Sequence, residues 1–535
     1  MPFRPDLSEP FLEGTHSASR RLGYNQHHSR NGQPGACLLI GTIIIVGGGT
    51  AGWMAAASLA KFLEGSATRI HVIESSTIGT VGVGEATIPT ILDFNRFLEL
   101  DEAELMRRTQ ATFKLGILFE DWAVKGSRFF HPFANYGAPL RGVPFHDLWL
   151  RSRAVGDGSP MEDYCLPSVM ARSGRFAHPS PDNPNPLADF GYAYQFDAAL
   201  YAEYLRDYAM RRGVERTDAR VLGVNTRASD GFIESVTLDS GQAVSGDLFV
   251  DCSGFRGLLI GQCLETPLED WSHWLPANRA VAVQSESTAD PVPYTRSITR
   301  PAGWQWNIPL QHRVGNGYVY CSEYLDDEQA LDTLLANIQG EPQSEPNLLS
   351  FQTGMREVFW QRNCVALGLA AGFMEPLEST SIALIQTGIA LLETFFPAHG
   401  FRQCDIDEAN RQSRASYEKM RDFLILHYKL NQRLGEPFWD DCRSMDVPET
   451  LAHKLAVYRS RAYLVEYGTE PFRTGSWLSM YAGFDVVPET YDRRADSISE
   501  SELQQSLAQM RTIIRNAVSL APEHTASLQK YGPVD

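Results

Sequence analysis

The six residues Gly47-Gly48-Gly49-Thr50-Ala51-Gly52 follow the β-branched run Thr42-Ile43-Ile44-Ile45-Val46 and satisfy the spacing GxGxxG. Gly47 permits a tight turn, Gly49 lets the backbone approach a pyrophosphate, and Gly52 lets a helix pack close to the strand. The amides that open that helix then face the phosphates. A second apolar strand over residues 69 to 73 ends at Glu74, where a carboxylate takes the ribose hydroxyls of an adenosine half. Together these residues bind a dinucleotide. The acid at the end of the second strand does not separate FAD from NAD.

Four further groups carry chemistry. Lys114 is the sole cation in the apolar run 113 to 119; a buried amine there is oriented and its pKa lowered, the alternative being a lysine that snorkels from a strand. Glu375 and Glu378 precede Ser379-Thr380-Ser381 and an apolar helix over 382 to 396. A glutamate at a helix start is first a dipole partner, and a Ser or Thr there is first an N-cap, while uncapped amides make an anion site. Trp304 and Trp306 alternate in GWQWNIP, sharing one face of an extended segment. His131 and Phe133, in FFHPFANYG, supply a slot for an aromatic ring or else pack a turn.

The elements that position these groups belong to an α/β fold. We expect a Rossmann-like, flavin monooxygenase-type FAD-binding domain over residues 41 to 400, interrupted by substrate-facing segments. Apolar strands in 248 to 257 and 362 to 372 return to the cofactor, each running into a glycine-containing turn. Helix-spaced apolar positions over 409 to 431 and 500 to 519 predict a mostly helical substrate-side module over 401 to 535. Residues 1 to 40 read as a poorly ordered arm.

Composition narrows the class. With 43% hydrophobic and 21% charged side chains over 535 residues, the chain can bury a large core. A formal net charge of −18 repels phosphate backbones and anionic lipid, so no nucleic-acid partner is expected. Glycines interrupt the one apolar stretch long enough to tempt a membrane reading, residues 36 to 60, so no membrane partner is expected either. Eight cysteines without CxxC or a zinc-like His spacing imply no metal site and reduced thiols in a cytoplasmic protein.

Four motifs resemble those of the flavin-dependent halogenases, in the tryptophan halogenase-like family: VGGGTAGWMAA at 46 to 56, VGEATIP at 83 to 89, GWQWNIP at 303 to 309 and EPLEST at 375 to 380. The resemblance implies FAD as FADH2, with dioxygen and chloride or bromide as co-substrates. A flavin hydroperoxide is attacked by halide, and the hypohalous acid travels inside the protein to a lysine that matches Lys114. The paired glutamate matches Glu378, which stabilises the cationic ring intermediate and accepts its proton; Glu375 is expected to be structural. Halide binds near backbone amides that match Thr380 and Ser381. A glycine is common at the second position, and Ser381 leaves the backbone donors in place while opening pocket size and halide preference to change, with bromide favoured. By the same resemblance Glu85, Val221, Leu369 and Ile382 join the cofactor site, Val221 on the adenine side and Leu369 and Ile382 at the flavin ring. Trp304 and Trp306 wall the space between flavin and substrate, and His131 and Phe133 lie against an indole.

Family members that act on free tryptophan hold its polar end with a tyrosine pair, which here falls on Trp477 and Leu478. With that clamp missing, the expected substrate is a small electron-rich arene of the indole type rather than free tryptophan. A separate flavin reductase supplies FADH2 without a stable complex, because no second nicotinamide fingerprint is present. A homodimer is one open option. Two other functions remain in play: a single-component FAD/NAD(P)H aromatic hydroxylase, and a non-catalytic flavin binder.

Overall fold

A computed structural model describes residues 40–77, 84–180 and 183–532. The arm expected over residues 1 to 40 therefore lies, apart from Ile40, outside the described residues.

The run Thr42–Val46 forms the central strand of a six-stranded sheet. Its β-branched side chains are buried on both faces, as a parallel strand covered by helices requires. It pairs in parallel with Arg69–Glu74 on one side and Leu248–Asp251 on the other. Glu215–Asp218 and Cys364–Ala366 extend the parallel part, and Trp360–Gln361 closes one edge in antiparallel pairing. Both late segments expected to return to the cofactor are thus in this sheet, Leu248–Asp251 beside the first strand and Cys364–Ala366 next to it.

A seven-stranded sheet stands apart from the first, in the order Asn347–Ser350, Arg279–Ser285, Val314–Tyr320, Gly303–Pro309, Thr295–Arg300, Gly116–Glu120 and Arg128–Pro132. Between them, Gly84–Ala86 and Thr112–Lys114 pair antiparallel on either side of Ala193–Asp197. The apolar run 113 to 119 is accordingly two strands in two sheets, divided at Leu115. Apolar content alone carries no mark of that break.

Helix Thr50–Phe62 begins at the glycine loop and packs against helices Ala198–Met210 and Ser381–Thr394. Beyond Gly372–Phe373 the described chain forms helices without strands. The two expected late helices are Gln403–Lys429 and Glu500–Leu520. The first starts earlier than its apolar pattern because its opening turns carry Asp405, Asp407 and Glu408, exposed or half-buried polar residues that no apolar stripe reveals.

The glycine loop is sterically demanding in a position-specific way. Gly47 has φ +111°, and a Cβ there would lie 2.2 Å from the Cys252 carbonyl oxygen. A Cβ on Gly52 would lie 1.9 Å from the Gly47 carbonyl oxygen, whereas one on Gly49 would have no atom within 4 Å. We expect Gly47→Ala to cost about 2–4 kcal/mol of stability, and Gly49→Ala to change it by less than about 0.5 kcal/mol, both measured by chemical denaturation.

Candidate functional site

Lys114 ends the strand Thr112–Lys114 and is fully buried, so it does not snorkel. Its Nζ donates to the Thr87 carbonyl oxygen at 3.0 Å and to Ser379 Oγ at 2.8 Å. Burial pushes its pKa down to about 7, against an opposing pull from the Glu378 charge. Ser379 reaches it from a left-handed backbone, φ +58°, at the end of the turn Pro376–Glu378.

Glu378, one residue earlier, is also fully buried. His131 Nδ1 lies 2.9 Å from Oε2 and 3.1 Å from Oε1, and His427 Nε2 lies 2.8 Å from Oε1. Burial alone would raise the carboxyl; the two imidazoles overcome that and hold it down to about 2. His131 stands on the strand Arg128–Pro132, opposite Ile117, and not in a turn. His427 comes from the last turn of helix Gln403–Lys429. Sequence reasoning missed His427, although it is the sole basic residue in the buried run 423 to 428, the same signal that singled out Lys114.

Thr380 occupies the N-cap position of helix Ser381–Thr394, but its side chain makes no cap and its buried Oγ1 has no hydrogen-bond partner among the described residues. The expected side-chain cap is therefore not made, because Thr380 has helical φ/ψ of −86°/−16° rather than the extended backbone that lets a cap reach the N2 or N3 amide. With Ser381 opening the helix, the first-turn amides are left for another acceptor.

At the cofactor side, the open space above Gly49 and the crowding around Gly47 and Gly52 leave room for a phosphate only where the loop motif needs it. Thr50 and Ala51 open the helix; a Cβ on Gly368, in the turn that carries Leu369, would meet Ala51 Cβ at 2.9 Å. Ile382 is buried in helix Ser381–Thr394. The strand that begins at Val221 follows Ala219, whose amide donates to the Glu74 carbonyl oxygen. Leu369 is thus tied to the start of the helix and Val221 to the end of the strand that carries Glu74, and the uncrowded Gly49 leaves room for the phosphates of a dinucleotide such as FAD. The Glu74 carboxylate is held by Arg216 and by the Trp53 indole N–H, and it lies against Gly48. Glu85 lies on Gly84–Ala86, its carboxyl pushed up to about 7 by desolvation.

Aromatic residues enclose the ionic cluster. The Phe133 ring centroid lies 5.4 Å from Lys114 Nζ. Trp304 and Trp306 are buried neighbours, 6.1 Å apart. Trp304 donates to Glu375 Oε2, and burial raises the Glu375 carboxyl to about 7. Trp477, in helix Thr474–Gly483, meets Phe423 edge-on at 5.2 Å, and Phe423 lies 5.7 Å from the His131 ring. Its indole N–H donates to the Phe472 carbonyl oxygen, and Lys454 Nζ sits 4.4 Å from its ring. The structure thus brings Lys114, Glu378, His131, Phe133, Thr380 and Ser381 into one neighbourhood, with Trp477 reached through Phe423. Among the described residues no cluster of metal-ligating side chains is found, and no helix is long and apolar enough to cross a membrane.

The tryptophan halogenase family model matches residues 42–500. A solved flavin-dependent halogenase from Brevundimonas sp. BAL3 is 48% identical, with a TM-score of 0.89 over 92% of this chain and 99% of that one. A flavin-dependent halogenase from Xanthomonas campestris is 44% identical, with a TM-score of 0.90 over 93% and 99% of the two chains. The tryptophan 6-halogenase of Streptomyces toxytricini is 38% identical over 445 residues, covering 77% of this chain and 83% of the relative.

Two predictions come from this geometry. Gly49→Ala, with folding preserved, should weaken FAD binding by about tenfold or more, read by flavin fluorescence titration. Lys114→Met should remove a pH dependence. Below pH 7 both folded and unfolded wild type hold the lysine proton, and the full burial cost opposes folding. Between about 7 and the ordinary 10.5 only the unfolded chain holds it, so wild-type stability should rise relative to Lys114→Met with pH. The slope is at most about 1.4 kcal/mol per pH unit, measured by urea denaturation of both proteins.

Proposed function

The chain belongs to the tryptophan halogenase family and is a flavin-dependent halogenase, and from that premise we propose that it halogenates indole or a substituted indole rather than free tryptophan, with Lys114 and Glu378 at the reacting centre. The observation that carries the assignment of residues is a buried lysine with a lowered pKa one residue's reach from a buried, ionised glutamate. With reduced FAD held by the glycine-loop residues, dioxygen would supply the oxidising equivalents that turn chloride or bromide into a hypohalous electrophile.

The chain's own residues do the rest. Thr87 and Ser379 take two of the three N–H bonds of the Lys114 ammonium and leave one to hold the electrophile. The uncapped first turn at Thr380 and Ser381 offers amides to the halide. Trp304 and Trp306 exclude water along the route between cofactor and lysine. Glu378 places a fixed negative charge beside the ring as it becomes cationic, in surroundings where that charge is weakly screened. A separate flavin reductase supplies the reduced cofactor by diffusion.

The substrate reading rests on Trp477 and Leu478. The Trp477 N–H is already committed to Phe472 and Leu478 has no polar group, so neither offers a hydrogen bond to an amino-acid carboxylate. Burying an unpaired zwitterion costs several kcal/mol, whereas an uncharged indole incurs none of this. The single-component hydroxylase, which shares the flavin chemistry, is not favoured by the comparisons.

The test is mass spectrometry of reactions with FAD, NADH, a flavin reductase and bromide, offering indole and tryptophan in parallel. Wild type should yield brominated indole at least about tenfold faster than brominated tryptophan, and Lys114→Ala and Glu378→Gln should reduce it by about 10²-fold or more. Rapid tryptophan turnover would overturn the substrate reading, and undiminished product from Lys114→Ala would overturn the role of the lysine.

A further inference from the structure

The hydrogen bonds around Glu378 fix where protons reside. His427 Nδ1 lies 2.8 Å from the Phe423 carbonyl oxygen, which can only accept, so Nδ1 carries a proton. His427 Nε2 lies 2.8 Å from Glu378 Oε1, and that contact needs a second proton between them. A third proton is required where His131 Nδ1 meets the same carboxylate. The count is complete without His131 Nε2, which is buried and has no hydrogen-bond partner among the described residues. All three groups are buried: Phe119, Trp122 and Phe484 pack on His427, Phe472 on His131, and Phe423 on both rings. Lys114 is the further cation whose charge reaches Glu378.

We propose that His131 is the base that removes the ring proton at its Nε2, with Glu378 orienting it through Nδ1 and His427 acting as a positioning residue that holds the carboxylate at its other oxygen. This rests on the arene-halogenating reading of the same site. Both Glu378 oxygens already receive imidazole N–H groups, which makes the carboxylate a poor proton acceptor and a good orienting anion. The arrangement is that of a carboxylate holding a histidine in one tautomer so that its other nitrogen is free to act. His131 lies on the strand and Phe133 just beyond its end, and the Phe133 ring stands beside Lys114. The unpartnered nitrogen is thus on the ring that meets Glu378, one residue before the Ser379 hydroxyl that holds Lys114. In the step, the C–H bond of the cationic ring intermediate breaks, its electron pair restores aromaticity, and the proton bonds to the Nε2 lone pair. No oxidant is consumed.

Two measurements decide it. In the full-length, cofactor-free protein, nitrogen NMR of labelled histidine, assigned with His131→Gln and His427→Gln, should show a protonated Nδ1 and a bare Nε2 on His131 at neutral pH; a proton resident on that Nε2 overturns the proposal. In turnover, indole and ring-perdeuterated indole are compared with FAD, NADH, flavin reductase and bromide. His131→Gln keeps an N–H donor for Glu378 but has no basic nitrogen. It should brominate indole about 10²–10³-fold more slowly and show a primary isotope effect that wild type lacks, with oxygen consumption unchanged. A near-wild-type rate, or a slow rate without an isotope effect, shows that His131 is only structural. Absence of brominated indole from wild type would count against the substrate reading, and the NMR result would still decide where the proton sits.

Discussion

A carboxylate with no access to water sits between two imidazoles at the centre of this molecule, and the rest of the site is arranged around the cost of keeping it ionised. An unpaired buried charge is penalised by many kcal/mol, so Glu378 is tolerable only because His131 and His427 meet both its oxygens. Those contacts join a strand of the large sheet, the turn Pro376–Glu378 and the last turn of a long helix. Once Glu378 is placed, Ser379 follows in a left-handed conformation that carries its hydroxyl to Lys114. The lysine is thus positioned by the same turn that positions the anion.

Two glutamates three residues apart in one motif have opposite character. Glu375, which meets the Trp304 indole and Tyr428, is pushed up to about 7 by burial, and Glu378, between two imidazoles, is held down to about 2. Environments that drive paired carboxyls apart divide their roles. The one with the raised pKa lies against Trp304; the anion lies between the two imidazoles, next to the Ser379 hydroxyl that holds Lys114.

The small three-stranded sheet has a comparable dividing function. Glu85 stands opposite Phe196 and Lys114 opposite Ala193. Phe196 and Ala193 are three residues apart on one strand, and side chains alternate along a strand, so Glu85 and Lys114 project from opposite faces. Two ionisable groups with shifted pKa values are thereby separated by a sheet of three strands.

Local sequence determined a good deal. The glycine loop, its flanking strands and the late helices were legible because backbone sterics and apolar periodicity act over a few residues, and Gly47, Gly49 and Gly52 have the three distinct environments their spacing implied. Lys114 and Glu378 were legible through the family motifs and, for Lys114, through one charge in an apolar run. Tertiary structure alone decided that the run divides into two sheets at Leu115, that Thr380 leaves its helix uncapped, and that His131 turns its Nδ1 to Glu378. It alone brought in His427, 49 residues from its carboxylate. The physical reason is common to these cases: the ionisation and tautomer of a buried group are set by neighbours that converge in space, and no spacing along the chain encodes that convergence.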